Sequence, residues 1–470
     1  MVTTTESAQD WTAQSINSVL EKQKAFFKSN KTIDIQWRVQ QLKKLAHVIK
    51  RYEKDILDAL YKDFKKSEFE GYATEVGLMH KELQHIIKKT KSWAKTKKSF
   101  SSLINFPSTN YIYQQPYGNV LIIGPWNYPF HLTLFPLFGA ISAGNTAILK
   151  PSELTPHTSA IIEKIITECF EPEFVAVVQG GVQTSQDLLN QRFDYIFFTG
   201  SVNVGKIVAE KAAKYLTPVT LELGGKSPCI VSHDADIKVA ARRIVWGKFV
   251  NGGQTCIAPD YILVQSSVKE ELIKEIGKTI ESFYGKNPQD STDFPRIINE
   301  RNFDRLAKMF EGANIVIGGQ TDRNDLYIAP SVLDDVKWED PVMAEEIFGP
   351  ILPVISYEEI DKVPEIVNGF ERPLALYLFT KDKETENLIM ESIPFGSGCV
   401  NDTLGHMAEG DLPFGGIGES GIGRYHGNET FHTFSHKKSV MKKGFWFDLP
   451  LRYPPYKGKL GLVRQALRFF

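Results

Sequence analysis

The chain has 470 residues, 42% hydrophobic and 24% charged, with a formal net charge of -1, so it can bury a large core and build two or three domains. A charge so close to zero excludes any overall field that would draw it to nucleic acid. No run approaches the ~20 apolar residues of a membrane-crossing helix, and the opening MVTTTESAQDW lacks the layout of a secretory signal. Four cysteines (Cys169, Cys229, Cys256, Cys399) without C-x-x-C pairing form neither a disulfide framework nor a zinc site, and a cytoplasmic protein with reduced thiols is expected.

From about Asp34 to Lys98 the sequence is Lys- and Glu-rich with helical spacing, Leu42, Leu45, Val48 and Ile49 sharing one face, which predicts helices with a polar surface and an apolar core side. The stretch from Phe100 to Gln115 is rich in β-branched and aromatic residues and has no place in either sheet described next. With FHTFSHKKSV, beginning at Phe431, it is expected to form an arm reaching out of the subunit. Between them GNVLIIG, NTAILK, FVAVVQG, YIFFTG and VTLELG are short apolar runs separated by helix-length segments. That alternation predicts a parallel sheet covered on both faces, with right-handed crossovers. PCIVSHD, YILVQ, NIVIGG, ILPVIS, LALYLF and GCVND predict a second α/β domain. The end, KGKLGLVRQALRFF, has Leu460, Val463, Leu467 and Phe470 at helical spacing opposite Arg464, Gln465 and Arg468. It reads as an amphipathic helix, either docked as a lid or resting on a membrane surface.

Two glycine-rich stretches compete for a phosphate. FFTGSVNVGKIV has Gly200, Gly205 and Lys206 of a nucleotide-triphosphate loop, but Ile207 stands where a metal-binding hydroxyl is needed. The literal G-x-G-x-x-G at Gly416, Gly418 and Gly421 has neither a preceding strand nor a clean following helix. GSVNVG follows a strand and opens a helix, so its amides and helix dipole suit an anion better.

Three residues carry candidate chemistry. Cys256, in NGGQTC, lies on a loop between a helix and a strand; most lone cysteines are small core residues, but Gly252, Gly253, Gln254 and Thr255 describe a tight, exposed turn. A thiol of ordinary pKa needs a base, a dipole or a cofactor charge to become nucleophilic. Glu222 ends a predicted strand at the sheet's carboxyl edge, where open α/β folds bind ligands. Asn127, between Pro125 and Pro129, stands at another such edge, where an amide can donate to an oxyanion or simply make a turn.

In order along the chain, PWNYPF, AILKPSE, FFTGSVNVGK, LELGGKSP, NGGQTC, EEIFGP, VND and LPFGGIGESG resemble the successive motifs of the NAD(P)-dependent aldehyde dehydrogenase superfamily. GSVNVGK, EEIFGP and GRYHGNETFHTFSHKK followed by RYPPY most resemble its class 3, fatty-aldehyde-dehydrogenase-like branch. The resemblance implies an α/β fold: a Rossmann-type cofactor-binding domain (1–97 and 119–222), a catalytic domain (223–424), a small β oligomerisation arm (98–118 and 425–445) and a tail (446–470). It makes Cys256 the nucleophile, Glu222 the general base and Asn127 an oxyanion donor alongside the Cys256 backbone N–H. Lys150 and Glu346 match the residues on the two cofactor riboses, with Phe348 near the nicotinamide. Gly200, Ser201 and Gly205 cradle the pyrophosphate, and Leu223 and Gly224 line the cofactor site. Glu153 disfavours a 2′-phosphate, so NAD is the expected cofactor with NADP accepted as well. The resemblance further implies a homodimer. Alternatives are a CoA-acylating enzyme, against which Glu222 stands, and a Cys-dependent hydrolase with His426 as base. A metal site at His426, His432 and His436 is disfavoured because FHTFSH reads as strand.

Overall fold

The computed structural model describes residues 11–102 and 105–468; the opening MVTTTESAQD, Leu103, Ile104 and the last two residues, Phe470 of the tail pattern among them, lie outside the described residues. Two twisted sheets, one behind each half of the chain, set the architecture. In the first, the strands run in the order Gly421–Ile422, Val219–Glu222, Tyr195–Thr199, Asn119–Ile123, Thr146–Lys150, Val175–Val177. The last five are parallel and almost wholly buried, which is why their sequences are unbroken Val, Ile, Leu and Phe runs rather than alternating ones. The chain turns from one side of the sheet to the other between Asn119–Ile123 and Tyr195–Thr199. At such a switch point the connections leave in opposite directions and open a crevice at the carboxyl ends of the strands.

The second sheet has seven strands, in the order Asn314–Ile317, Ser331–Asp334, Ile351–Tyr357, Tyr261–Gln265, Pro228–Val231, Ala375–Phe379, Ser397–Val400, all parallel but the first. Ser331–Asp334 escapes the pattern analysis: it has four residues, with Pro330 before it and Asp335 after it. The edge strand Gly421–Ile422, within the span expected for the second domain, pairs antiparallel with Val219–Glu222 of the first sheet.

The helical layer begins earlier than its periodicity suggests, with Ala13–Lys28 opened by a reciprocal Thr12/Ser15 cap. Within this layer the segment predicted to present only surface and apolar core hides charge: Lys66 and Glu75 are buried. Helix Pro129–Ala143 is buried along its entire length and packs against Ile35–Arg51, Gly77–Trp93 and Gly427–Thr433. It starts at Pro129, which needs no amide partner, and stops at Gly144 in the left-handed region (φ 99°).

Ser108–Pro116 pairs with Ser435–Lys443 over nine residues and with Lys97–Ser99 on its other side, forming a separate antiparallel sheet. FHTFSH is not one strand. Residues 427–433 are helical and the strand starts at Ser435, so His432 and His436 sit on different elements rather than on one face. Leu460–Arg468 is helical, with Leu460, Leu462 and Leu467 each about 60% exposed. Among the described residues no helix is long and apolar enough to cross a membrane.

Candidate active site

Cys256 and Glu222 line one cavity of about 960 Å³. Its walls are apolar, among them Phe69, Leu78, Trp246, Phe283, Tyr284 and Met407. Cys256 follows helix Ile237–Phe249 through a turn in which Asn251, Gly252 and Gly253 all have left-handed backbones (φ 56°, 61° and 75°). At Gly253 a side chain is excluded twice, by φ and by the Gly349 carbonyl oxygen, which would stand 2.3 Å from a Cβ. This corrects the expectation of an exposed turn: residues 250–255 are buried and Cys256 is half-buried. The glycines serve close packing, and the thiol faces the cavity. Burial, with the carboxyls of Glu346 and Glu222 adding to it, pushes Cys256 up to about 12, so the chain by itself holds a protonated thiol at neutral pH.

Glu222 ends strand Val219–Glu222 and is 3% exposed, with neither carboxyl oxygen hydrogen-bonded. It is not a solvated charge, because burial raises its pKa well above the ordinary value and the group rests as a neutral acid. Beside it on the neighbouring strand, the buried Thr199 hydroxyl is likewise unpartnered. Asn127 is 3% exposed; its amide donates to the Gln254 carbonyl (3.0 Å) and its own carbonyl accepts from Asn251 Nδ2 (2.8 Å). The loop after the first strand and the turn before Cys256 are thus tied together, 127 positions apart in sequence. Each amide nitrogen carries two hydrogens, so one of Asn127 remains to donate elsewhere.

Around the switch point, Ser201 caps helix Val202–Ala213 and Gly200 N donates to the Glu222 carbonyl (3.0 Å). A Cβ on Gly205 would stand 2.7 Å from the Leu223 side chain, and one on Gly224 would stand 2.0 Å from the Glu346 carboxylate. Glu346, beside Gly225 and near Lys226 and Lys248, is pushed up to about 8, chiefly by burial. Lys150 ends its strand 3% exposed and pairs with Glu153. Phe348 adopts φ 51° and meets Trp126, next to Asn127, edge-on at 5.2 Å. Lys206 turns outward to Glu419 (2.6 Å) in the other glycine-rich stretch, which has no helix of useful length to offer an anion.

The molecule is thus a two-sheet α/β protein of the kind that binds its ligands at the carboxyl edge of an open parallel sheet, with Cys256 and a buried glutamic acid on one cavity. The aldehyde dehydrogenase family model matches residues 2–440, and the chain belongs to that family. Within it the chain lies in the class 3 branch. It is 49% identical to 4,4'-diaponeurosporen-aldehyde dehydrogenase of Staphylococcus aureus over 94% of this chain and 96% of that one. It is 44% identical to aldehyde dehydrogenase family 3 member A2 of Rattus norvegicus, over 91% and 89%. The dimeric NADP-preferring aldehyde dehydrogenase of Canis lupus familiaris is 42% identical, over 95% and 99%. A solved structure of Staphylococcus aureus AldH in a substrate-bound state superposes with a TM-score of 0.94 at 48% identity, covering 96% of this chain and 99% of that one. The protein is therefore an enzyme, an NAD(P)-dependent aldehyde dehydrogenase.

His426 has no partner for either ring nitrogen and is packed among Phe135, Phe414 and Tyr425, where burial lowers it to about 3. It has no cysteine to activate; the Cys–His contact among the described residues is Cys399 with His406, 3.2 Å apart. No group of three metal-ligating side chains occurs among them. Thr199, Asn251 and Tyr128 lie inside the motifs FFTGSVNVGK, NGGQTC and PWNYPF without a role assigned by pattern, and Lys66 and Glu75 lie in no motif.

Proposed function

We propose that the enzyme oxidises lipophilic aldehydes to carboxylic acids, with Cys256 as nucleophile, Glu222 as general base, and Asn127 with the Cys256 N–H as oxyanion donors. The observation that carries this is the placing of Cys256 and Glu222 on one cavity whose remaining walls are largely apolar. Two named relatives supply context: one acts on diaponeurosporen-aldehyde by its name, and another is a dimeric NADP-preferring enzyme.

The Cys256 thiol first gives up its proton to solvent; the thiolate sulfur then bonds to the aldehyde carbon, the C=O π pair moves to oxygen, and the resulting oxyanion is held by fixed donors. When bound, the oxidised nicotinamide supplies the acceptor for the hydride lost by that carbon. A thioester is left on Cys256. Glu222, in its ionised form, then takes a proton from water, whose oxygen attacks the thioester carbon; the C–S bond breaks, and the carboxylic acid leaves as the proton passes from Glu222 to the Cys256 sulfur.

The helix start capped by Ser201, directly after strand Tyr195–Thr199 at the carboxyl edge of the first sheet, supports a dinucleotide that Gly200, Ser201, Gly205, Leu223 and Gly224 would hold. Lys150 and Glu346 would hold its riboses, and Phe348 would adjoin its nicotinamide. Glu153, paired with Lys150, would supply a carboxylate near an adenosine-side ribose that Lys150 holds, which disfavours a 2′-phosphate and favours NAD while NADP is accepted. The antiparallel arm, with an exposed edge strand Ser435–Lys443, supports a homodimer joined across a two-fold axis. Its test is a light-scattering mass near twice 53.1 kDa. The enzyme is expected in the cytoplasm, with weak peripheral membrane contact through the tail.

Initial rates with NAD and with NADP across straight-chain aldehydes of increasing length test the main reading. kcat/KM should rise with chain length and be higher with NAD. Best activity on the shortest aldehydes, or none without added CoA, would overturn it.

A further inference from the structure

Two charged side chains lie wholly inside the protein behind the cavity, and the chemistry above uses neither. Lys66 Nζ and Glu75 Oε1 are 2.8 Å apart, and both side chains are 0% exposed. A pair buried this deeply gives up strong hydration, so it persists where further hydrogen bonds satisfy it and a specific geometry depends on it.

Those further bonds are at the start of helix Pro129–Ala143. Glu75 Oε2 accepts from the backbone N–H of Phe130 (3.0 Å) and of His131 (3.3 Å). Pro129 has no N–H, and Tyr128 gives no side-chain cap. These are therefore the first amides of a helix too deeply buried for water to reach them, and a carboxylate there also meets the positive end of the helix. Lys66 in turn stands 4.6 Å from the centre of the Tyr128 ring. The Tyr128 hydroxyl bonds Thr255 Oγ1 at 2.7 Å, one residue before Cys256. Three of the four residues after Asn127, namely Tyr128, Phe130 and His131, are thus contacted by the pair, and the Asn127 backbone carbonyl is held by Asn251.

We propose that Lys66 and Glu75 are positioning residues for the Asn127 amide: by fixing where helix Pro129–Ala143 begins, the pair sets the place of that amide relative to Cys256. The inference rests on the reading of Asn127 as an oxyanion donor. Neither Lys66 nor Glu75 touches substrate; each acts through Tyr128, Phe130 and His131.

A double-mutant cycle on the full-length enzyme tests it, with kcat, KM for the aldehyde and cofactor Kd measured for N127A, E75Q and the double variant. N127A should lower kcat ~100-fold, as loss of one oxyanion donor does. E75Q should lower kcat roughly tenfold, with KM and cofactor Kd within about twofold of the parent, because it displaces rather than removes the donor. In the N127A background E75Q should cost less than about twofold more, since the donor it positions is already gone. K66R, which preserves the pair, should retain most of kcat. E75D, which keeps the charge and shortens the reach, takes the place of E75Q in the cycle if E75Q does not accumulate as folded enzyme. An undiminished E75Q effect in the N127A background, or an unchanged kcat in E75Q alone, overturns the positioning role while leaving Asn127 in place. An unchanged kcat in N127A removes the oxyanion assignment itself, and the positioning role with it.

Discussion

The wall behind Asn127 and the outer surface of the arm and tail are built from the same residue types and use them in opposite ways. Behind Asn127, Lys66 lies between the rings of Phe64 and Tyr128, 5.1 and 4.6 Å from their centres, and its carboxylate partner is equally buried. On the outside, Arg452 lies 5.1 Å from the centre of the Tyr453 ring, and Phe445, Trp446 and Tyr456 are largely exposed. The contacts have similar lengths. What differs is water: the inner cation has none to fall back on, so its partners fix its position, whereas the outer one exchanges each contact for hydration at little cost.

The sharpest way to break this comparison is to remove the group that the wall serves. Cys256→Ala should abolish aldehyde oxidation, a loss of at least ~1,000-fold, while cofactor binding measured by fluorescence titration stays intact; near-normal turnover by the purified variant would end the nucleophile assignment.

Glu222→Gln should lower steady-state turnover by roughly 100-fold or more and leave a rapid first burst of reduced cofactor, because the thioester still forms. A variant that loses burst and steady state equally would show Glu222 acting earlier. The pH dependence follows from burial. Glu222 keeps its proton well above the ordinary carboxyl range and becomes a base only as pH rises through that raised pKa. Steady-state turnover should therefore climb with pH in that range, and the Gln variant should lose the climb. Above the ordinary carboxyl range the unfolded chain has released this proton and the folded one has not, so the same shift erodes stability as pH rises. Denaturant titrations should show the Gln variant gaining on the parent with increasing pH.

Inner and outer lysine–glutamate pairs can be set directly against one another. Lys66→Met leaves a buried carboxylate unpaired and should cost about 3 kcal/mol. Lys206→Met breaks the 2.6 Å pair with Glu419, whose side chains are 61% and 42% exposed, and should cost under ~1 kcal/mol. Equal costs by urea denaturation would show that exposure is not what separates a buried pair from a surface one.

The smallest effect is expected furthest out. Full-length protein should bind anionic liposomes weakly and in a salt-sensitive way, and deletion of Leu460–Phe470 should remove that binding. Equal flotation of both forms would exclude a tail anchor, and a selective loss of long-chain activity without any lipid binding would assign the tail to the cavity mouth.

The same contrast explains what was readable in the sequence. The parallel strands announce themselves because two-sided burial demands unbroken apolar runs, and Cys256 and Glu222 stand in NGGQTC and LELGGKSP, two of the motifs that carry the family resemblance. Thr199 and Asn251 are ordinary polar residues whose importance comes from partners or from a missing partner, which no local pattern records. Lys66 and Glu75 sit in DFKKSEFEGYATEV, where charge density reads as surface; only the packing of Phe64, Tyr128 and helix Pro129–Ala143 around them turns that surface pattern inward. The helix-to-strand change at Phe434 was missed because the alternating His and Phe of FHTFSH suit a strand, while burial of Phe431 and Phe434 against the first domain made its first half a helix.

The pairing of Gly421–Ile422 with Val219–Glu222 bears on how the molecule is made. The strand that ends in Glu222 is an internal strand only after the chain has travelled some two hundred residues and built the second sheet. During synthesis at about 5–20 residues per second, that edge stays open for at least ~10 seconds, with its hydrogen-bonding groups free to capture a neighbouring nascent chain. Leu223, whose N–H is taken by the Ser420 carbonyl, waits equally long, so Glu222 gains its last strand neighbour only once residue 421 has been made, and a chain cut short before residue 420 carries an α/β half with one sticky margin.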